Sequence, residues 1–212
     1  MALNEQTRRE ERRRIAHLVL DLVKARGTEI SYNAALAESG LARSRFEQVF
    51  PDYDALFEAV AEIWLAPHLA AMEEVLASDL PPVRKMYEFV RSRFAISRDR
   101  FAADPEYFTT ICEMGAANFE RVRSYVDLAD HYMCELIADA QADGYLAGLE
   151  IDEALSLINQ MVAMYTTPDA LVQLGDKLTE AKLARIIDTI FIGLSAESGE
   201  GARGVGTLRL AQ

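Results

Sequence analysis

The sequence predicts an all-α protein in which a small N-terminal helical domain is joined to a larger helical body. Three observations predict this fold class. Apolar residues recur at helical spacing along the chain, strand signals are nearly absent, and proline and glycine residues divide the chain into helix-length segments. Half of the 212 residues are hydrophobic and 26% are charged, which is typical of a globular protein.

Three short helices are predicted at the N-terminal end. The first covers about residues 15–26, carries one apolar stripe, and ends at Gly27 with basic residues in its last turn. The second covers about residues 31–40, and the third about residues 42–50. The third helix has to end near Pro51, because the residue before a proline disfavours the helical conformation.

Six further helices are predicted, beginning near residues 52, 82, 105, 119, 151 and 178. Pro67 lies inside the first of these six, and because proline removes a backbone hydrogen bond, we expect it to kink or divide that helix. We place the domain boundary there. The predicted parts are a head at residues 8–66, a body at residues 67–195 and a flexible, glycine-rich tail at residues 196–212.

The charge of the chain is distributed unevenly. A net charge of −12 argues against binding to nucleic acid or to anionic lipid. Residues 1–51, however, hold nine basic and seven acidic side chains, for a net charge of +2, whereas the remainder carries −14. Five arginines fall between Arg8 and Arg14, which indicates a basic arm at one end of an acidic protein.

Residues 34–46 have the pattern of a helix-turn-helix, with small residues that let two helices approach and Gly40 at the turn. Helical spacing predicts that the third helix packs one side inward, through Ala42, Phe46, Val49 and Phe50. Ser44 and Gln48 then point away from the domain, flanked by Arg43, Arg45 and Glu47. Most of these side chains can hydrogen-bond base edges or phosphates, although an ordinary solvated helix face has the same composition.

The segment from Ile15 to Leu56 resembles the N-terminal domain of the tetracycline-repressor (TetR) family of bacterial transcription regulators. The matching features are the first helix ending at Gly27, Ser31 opening the second helix, Leu36-Ala37, Gly40-Leu41, Phe46, Phe50-Pro51-Asp52 and Ala55-Leu56. The resemblance implies a homodimer that binds double-stranded, palindromic operator DNA and is released by a small effector. The implied DNA-contacting residues are Arg12, Ser31, Tyr32, Arg43, Ser44, Arg45, Gln48 and Tyr53.

Three positions depart from the pattern of the family. Glu47 stands where the family usually has a tyrosine, and Tyr53 where it usually has a lysine, and both family residues hold DNA phosphates. Ala42 replaces the usual serine and removes a helix cap worth about 1 kcal/mol. These changes predict weaker backbone contacts or a different mode of operator recognition, and the arginines before Ile15 are candidates to restore phosphate contacts.

The middle helices are rich in aromatic and sulfur-containing side chains, and core packing is the ordinary explanation for most of them. The resemblance implies that some line a cavity for a small apolar or aromatic effector. Our candidates are Trp64, Phe89, Phe108, Cys112 and Phe119. We expect the helix containing Pro67 to transmit ligand binding to the head by moving it.

The last two long helices carry broad apolar stripes. The resemblance implies that they pair with their counterparts in a second copy as a four-helix bundle. The candidate dimer residues are Leu155, Ile158, Val162, Ile186, Ile187 and Ile190. The alternative is that these stripes pack only inside the monomer.

Other chemistry has little support in the sequence. His131 and Cys134 share a helical face, but an interior histidine and a buried thiol are commoner than a metal site, and we expect no metal or cofactor. Residues 199–204 match G-x-G-x-x-G without a preceding strand or following helix, so we do not expect dinucleotide binding. We expect both cysteines to be reduced, no segment to span a membrane, and the protein to be cytoplasmic.

Three classes of function remain. A dimeric, ligand-responsive DNA-binding repressor is the leading one. The alternative is a helical small-molecule sensor or binding protein whose head has lost sequence-specific DNA binding, as Glu47, Tyr53 and the acidic total suggest. An enzyme has no supporting motif, and we expect none.

Overall fold

A computed structural model describes residues 4–27 and 29–195 of the chain. These residues form ten α-helices and no strand, which confirms the predicted fold class. The helices are α1 (Glu5–Arg26), α2 (Tyr32–Glu38), α3 (Arg43–Val49), α4 (Tyr53–Leu76), α5 (Pro82–Ala103), α6 (Pro105–Ala117), α7 (Phe119–Ala142), α8 (Ile151–Thr166), α9 (Pro168–Leu174) and α10 (Glu180–Leu194). The predicted tail at residues 196–212, with its G-x-G-x-x-G sequence, lies outside the described residues.

Side-chain caps fix where several helices begin. Ser31, Asp52 and Asp104 each accept a hydrogen bond from the backbone N–H three residues later. Gly27 ends α1 in the left-handed conformation with φ of 60°, which glycine adopts without steric cost. Ala42 precedes α3 without a side-chain cap, as predicted, and it is exposed rather than packed inward because it lies ahead of the first helical turn.

The arginine cluster is helical and belongs to α1, which begins earlier than the predicted start near residue 15. Helix α1 begins at Glu5, where the Asn4 side chain accepts a hydrogen bond of 2.7 Å from the backbone N–H of Thr7. Ion pairs along the helix, such as that between Arg9 and Glu5, add to this start. The cluster therefore extends α1 of the head by three turns.

Two prolines lie at different places in their helices. Pro67, which was expected to kink or divide its helix, does not divide α4, because buried residues on both sides, such as Val60 and Met72, pack the helix against the rest of the protein. Pro168 begins the short helix α9, which the sequence analysis did not predict, because proline at the first helical position needs no N–H partner.

Two apolar cores occupy the two ends of the fold. Residues of α1, α2, α3 and the first half of α4 form the head core, in which Ile15, Phe46 and Leu56 are fully buried. The second half of α4 and helices α5 to α10 form the body core. Two side chains of α6, Ile111 and Met114, pack into the head core, so the body touches the head through α6 as well as through α4.

Helix α4 is long and apolar enough to cross a bilayer, with a mean hydropathy of 1.3 over its most apolar window. One such helix is weak support for a membrane span, because core helices pass the same test. The expectation that no segment spans a membrane therefore stays a prediction. Here α4 supplies buried side chains to both cores, and 33% of its most apolar window is buried.

Candidate DNA-binding surface and ligand cavity

Helix α3 is anchored to the head by aromatic packing. The ring of Phe46 is fully buried, and its centroid lies 5.1 Å from that of Tyr32, edge to face, and 5.3 Å from that of Phe50. Val49 completes the buried side of the helix. This packing fixes the direction in which the opposite side of α3 faces.

The opposite side of α3 is exposed and polar. Arg43, Ser44, Glu47 and Gln48 lie in solvent, and Arg45 lies beside them. The guanidinium of Arg43 is 3.9 Å from the Glu47 carboxylate, and that of Arg45 is 3.8 Å from Glu11. Both contacts are long and solvated, so they hold the arginines weakly and leave their donors available to another partner.

Several other candidate DNA contacts are occupied within the chain. Arg12 donates hydrogen bonds to the backbone carbonyl of Ala55, at 2.9 Å, and to the carboxylate of Glu62, at 3.0 Å. The Tyr32 hydroxyl donates to the carbonyl of Phe50 at 2.6 Å, while Ser31 caps α2. These side chains position the helices of the head.

Tyr53 lies where the head meets α7 of the body. Its ring centroid is 5.7 Å from the Arg121 guanidinium, and Arg121 donates hydrogen bonds to the carboxylate of Asp54. Burial raises the pKa of Tyr53 above its usual value, so the hydroxyl remains neutral. Arg121 thus joins the body to the start of α4.

A cavity of about 530 Å³ is lined by side chains from both the head and the body. The head contributes Ile30, Phe57 and Val60. The body contributes residues of α5 to α9 together with the second half of α4. The volume lies within the range of small-molecule binding sites.

Four of the five predicted ligand residues line this cavity: Trp64, Phe108, Cys112 and Phe119. Phe119 is 47% exposed, so it lies at the solvent side of the cavity. Phe89 does not line the cavity, because it is fully buried in the body core. The inward stripe of α5 places Phe89 among apolar neighbours, where it serves packing.

The polar side of the cavity is formed by α4 and α5. His68 is buried, and its Nε2 lies 3.2 Å from the Oγ of Ser97. Burial, together with the positive charges of Arg100 and Arg93, lowers the pKa of His68 from 6.5 to about 3. His68 is therefore neutral at physiological pH.

The cavity also carries an amide and carboxylate pair and a thiol. The Asn159 side chain donates a hydrogen bond of 2.9 Å to Asp130, and both line the cavity. Burial and the negative charge of Asp169 raise the pKa of the Cys112 thiol to about 12, against the opposing effect of Arg100. Cys112 therefore acts as an apolar lining group and not as a thiolate.

Sequence reasoning missed the polar residues in and beside the cavity. His68, Arg93 and Ser97, which line it, were not among the candidates, and neither was Arg100, which lies over the ring of Trp64. A signal was present, because Arg93, Ser97 and Arg100 stand at i, i+4 and i+7 and so share one face of a helix that also carries the buried Phe89 and Phe94. Polar residues beside an apolar stripe indicate either a solvated edge or a lined cavity, and only the packing distinguishes these.

We expect replacement of His68 by glutamine to improve stability in acid. The unfolded chain binds a proton at His68 near pH 6.5, whereas the folded protein resists it down to about pH 3, so stability falls as the pH decreases between these values. The wild type should lose about 2 kcal/mol between pH 7 and pH 5 from this group. Urea unfolding at both pH values measures the loss.

The matched control for His68→Gln is His131→Gln, because His131 is exposed and paired with Glu135. His68→Gln should lose less stability than the wild type on acidification, and His131→Gln should behave like the wild type. Identical pH profiles for all three proteins would contradict the buried, neutral state of His68.

Four of the six predicted dimer residues lie in the interior of one chain. Ile158, Val162, Ile187 and Ile190 are buried in the body core, whereas Leu155 and Ile186 are partly buried and pack against it. Neighbouring helices of the same chain cover the four buried residues, which leaves them unavailable to a second copy. A dimer contact by Leu155 or Ile186 stays a prediction.

The outward sides of α8 and α10 carry other apolar residues. Met161 and Met164 of α8 are 40% and 52% exposed, and Ile192 of α10 is 75% exposed. The two helices run antiparallel, because the Tyr165 hydroxyl donates to the Thr179 carbonyl at one end and the Ser195 hydroxyl accepts from the Leu146 N–H at the other. Met161 and Met164 therefore lie toward one end of the helix pair and Ile192 toward the other, and we call the outward sides of α8 and α10 that carry these three residues the outer apolar face.

No group of three histidine, cysteine or carboxylate side chains gathers into a metal-binding geometry in residues 4–27 and 29–195. His131 pairs with Glu135 at 3.1 Å on the protein surface. Both cysteines are free thiols, as expected.

The comparisons with known proteins bear on the body. A family model described as the tetracyclin repressor-like C-terminal domain matches residues 82–187, which is half of the chain. No curated protein matches the sequence. The matched region begins at α5 and reaches into α10, so it lies outside the head, on which the resemblance drawn from the sequence rested. The chain belongs to the tetracycline-repressor-like (TetR) family of regulators.

Proposed function

We propose that this TetR-family regulator is a transcriptional repressor that binds a palindromic operator as a homodimer and is released by a small-molecule effector. The observation that carries the proposal is the cavity shared by the head and the body. A ligand held there contacts the same domain that presents the polar side of α3. We place the protein in the cytoplasm, with the DNA that it binds.

Recognition of DNA is assigned to α3. Arg43, Ser44 and Gln48 project from a helix whose other side is locked by Phe46, so they can enter a major groove as one unit. Arg45 lies at the edge of this surface and suits a phosphate contact. Arg12, Tyr32 and Ser31 support the geometry of the head, and we propose no base contact for them.

Dimerisation is assigned to the outer apolar face. Exposed methionine and isoleucine side chains on two adjacent antiparallel helices favour a partner that presents the same surface. A dimer is also required by the proposed operator, because each head reads one half-site and the two half-sites lie about 34 Å apart. A second copy is therefore the proposed occupant of this face.

Coupling between ligand and DNA is assigned to the contacts that cross from body to head. A ligand in the cavity touches Phe57 and Val60 of the head directly, and it touches α6, which inserts Ile111 and Met114 into the head core. A ligand that fits better when these contacts shift favours a different spacing of the two heads. Operator affinity then falls by the ratio of the ligand's affinities for the two states.

Replacement of Gln48 by alanine tests the assignment of α3. A bidentate contact from glutamine to a base distinguishes the correct base by about 1 to 3 kcal/mol, so the operator dissociation constant should rise about tenfold or more. Binding to unrelated duplexes should remain unchanged, because it depends on phosphate contacts. Fluorescence anisotropy with labelled operator and with scrambled duplex, at one stated salt concentration, measures both.

The matched control is Gln173→Ala, which removes an exposed glutamine from α9. It should bind operator like the wild type. Equal operator affinities for Gln48→Ala and the wild type would remove Gln48 from the recognition surface.

A second candidate function is a ligand sensor whose head no longer reads DNA. The Glu47 carboxylate favours it, because it lies on the exposed side of α3 beside Arg43 and repels phosphate. This candidate predicts ligand binding in the cavity without any sequence-specific DNA complex.

A further inference from the structure

Two arginines of α5 have buried nitrogen atoms that are left unpaired within the described part of the chain. The Nε of Arg93 and the Nη1 of Arg100 are buried and have no hydrogen-bond partner in residues 4–27 and 29–195. Within the same residues neither guanidinium has a carboxylate at ion-pair distance. Burying a positive charge without an anion is costly, so their placement requires an explanation.

The other three arginines of α5 are paired. Arg84 and Arg91 form ion pairs with Glu88, and Arg98 pairs with Asp99 and Glu180. All three are accompanied by carboxylates on the same helix or on α10. The two unpaired arginines are those that lie near the cavity. Whether an arginine of α5 has a carboxylate partner therefore depends on where it lies relative to the cavity.

Arg93 and Arg100 are placed against the aromatic side of the cavity. Arg93 lines the cavity, and its guanidinium lies 5.9 Å from the ring centroid of Tyr125, another lining residue. Arg100 lies 4.0 Å over the ring of Trp64, which also lines the cavity. Both charges are close enough to His68 to disfavour its protonation, so the two guanidinium groups create a positive potential beside the neutral His68 ring.

The cavity also holds two acidic side chains, and neither neutralises this region. Asp130 accepts a hydrogen bond from Asn159, and Asp169 is exposed at the start of α9. The two acids belong to α7 and α9, whereas the arginines belong to α5. A ligand with its negative charge near α5 therefore gains two cations and can keep its apolar part against the rings.

We propose that the effector is an organic carboxylate with an apolar, ring-bearing body. Its carboxylate accepts hydrogen bonds from Arg93, receives further positive potential from Arg100, and lies near the Ser97 hydroxyl. Its ring packs against Trp64 and Phe108. This assignment rests on the proposed function of the cavity as the effector site, and it specifies the chemical class that the cavity selects.

Binding of three matched probes tests this assignment: 4-phenylbutyrate, its neutral amide 4-phenylbutyramide, and the cationic 4-phenylbutylamine. Trp64 is the only tryptophan in the sequence, so its fluorescence reports occupancy of this cavity, and calorimetry gives the affinities. The carboxylate should bind about tenfold or more tightly than the amide, because it forms a charge-assisted hydrogen bond with Arg93 and is attracted by the positive charge of Arg100. The amine should bind most weakly.

Arg93→Met and Arg100→Met remove the charges while preserving side-chain length. Each variant should lower the affinity for the carboxylate by about tenfold. Its affinity for the amide should stay within about twofold of the wild-type value, which would show that the cavity remains intact. Arg84→Met, an exposed arginine of the same helix, is the matched control and should bind all three probes like the wild type. Arg93→Lys retains the charge and should preserve most of the preference for the carboxylate.

Equal binding of carboxylate and amide by the wild type overturns the proposal, as does equal weakening of both in the arginine variants. Absence of carboxylate binding at millimolar concentration also overturns it. These measurements contain no DNA, so they are independent of the test of the proposed function. A protein that binds operator but shows no preference for the carboxylate retains the proposed function and loses this assignment.

Discussion

Replacement of Phe46 by alanine is expected to lower the free energy of unfolding by about 3 to 5 kcal/mol and to abolish operator binding. The ring is fully buried between Tyr32 and Phe50, so its removal leaves a cavity that the short helices of the head cannot close. The orientation of α3 depends on the same contacts. Urea unfolding followed by circular dichroism measures the first effect, and fluorescence anisotropy with operator DNA measures the second.

Phe119→Ala is the control for this change, because it makes the same substitution at a side chain that is 47% exposed. It should cost less than about 1 kcal/mol of stability and retain operator binding. The variant Phe46→Leu, which preserves much of the volume, should lie between Phe46→Ala and the wild type. Full operator affinity in Phe46→Ala would contradict the role of this ring in holding α3.

The second large effect is expected from charges introduced on the outer apolar face. The double variant Met164→Arg and Ile192→Arg buries four like charges where the two copies are proposed to meet. An unpaired buried charge costs several kcal/mol, so the dimer dissociation constant should rise by at least about a hundredfold. Sedimentation analysis should then find monomers at concentrations at which the wild type is dimeric, and operator affinity should fall with dimerisation.

Leu80→Arg provides the control for the outer apolar face. Leu80 is an exposed leucine between α4 and α5, so the change adds the same charge outside α8 and α10. It should leave both the dimer and the operator complex unchanged. A double variant that remains dimeric while Leu80→Arg dissociates would move the interface away from α8 and α10.

Most of the fold was predictable because local signals and the fold agree. Gly27, Ser31 and Asp104 mark helix ends in the sequence, and each performs that role in the structure. The expected division of the helix at Pro67 is not found, because a proline breaks a helix only where packing does not hold the helix together. In α4 the buried side chains on both sides of Pro67 outweigh one missing hydrogen bond.

The interface and the cavity were less predictable because they depend on which neighbours an apolar side chain meets. The most apolar stripe of α8, which contains Ile158 and Val162, packs into the core of the same chain. Met161 and Met164 are exposed, but they do not extend into a long apolar stripe. Helical periodicity alone therefore does not select them as candidate dimer residues. Four of the five candidate ligand residues line the cavity, because the middle helices surround it on several sides, and their role in ligand binding stays a prediction.

The polar residues of the cavity could not be chosen from the sequence, since all five arginines of α5 look alike there. Three of them are neutralised by neighbouring carboxylates, and only the folded arrangement shows that Arg93 and Arg100 are left without one in residues 4–27 and 29–195. Which arginines lack a partner therefore depends on contacts between residues far apart in the sequence. Such contacts are difficult to predict from a single sequence.

Selection of bound duplexes from a random double-stranded DNA pool tests the central claim most directly. The wild-type protein should enrich one palindromic sequence whose half-site centres lie about one helical turn apart, and Gln48→Ala should relax the preference at a symmetric pair of positions. Failure of the folded, dimeric protein to enrich any sequence at low salt would contradict the assignment of α3 as a recognition helix and would favour the ligand sensor.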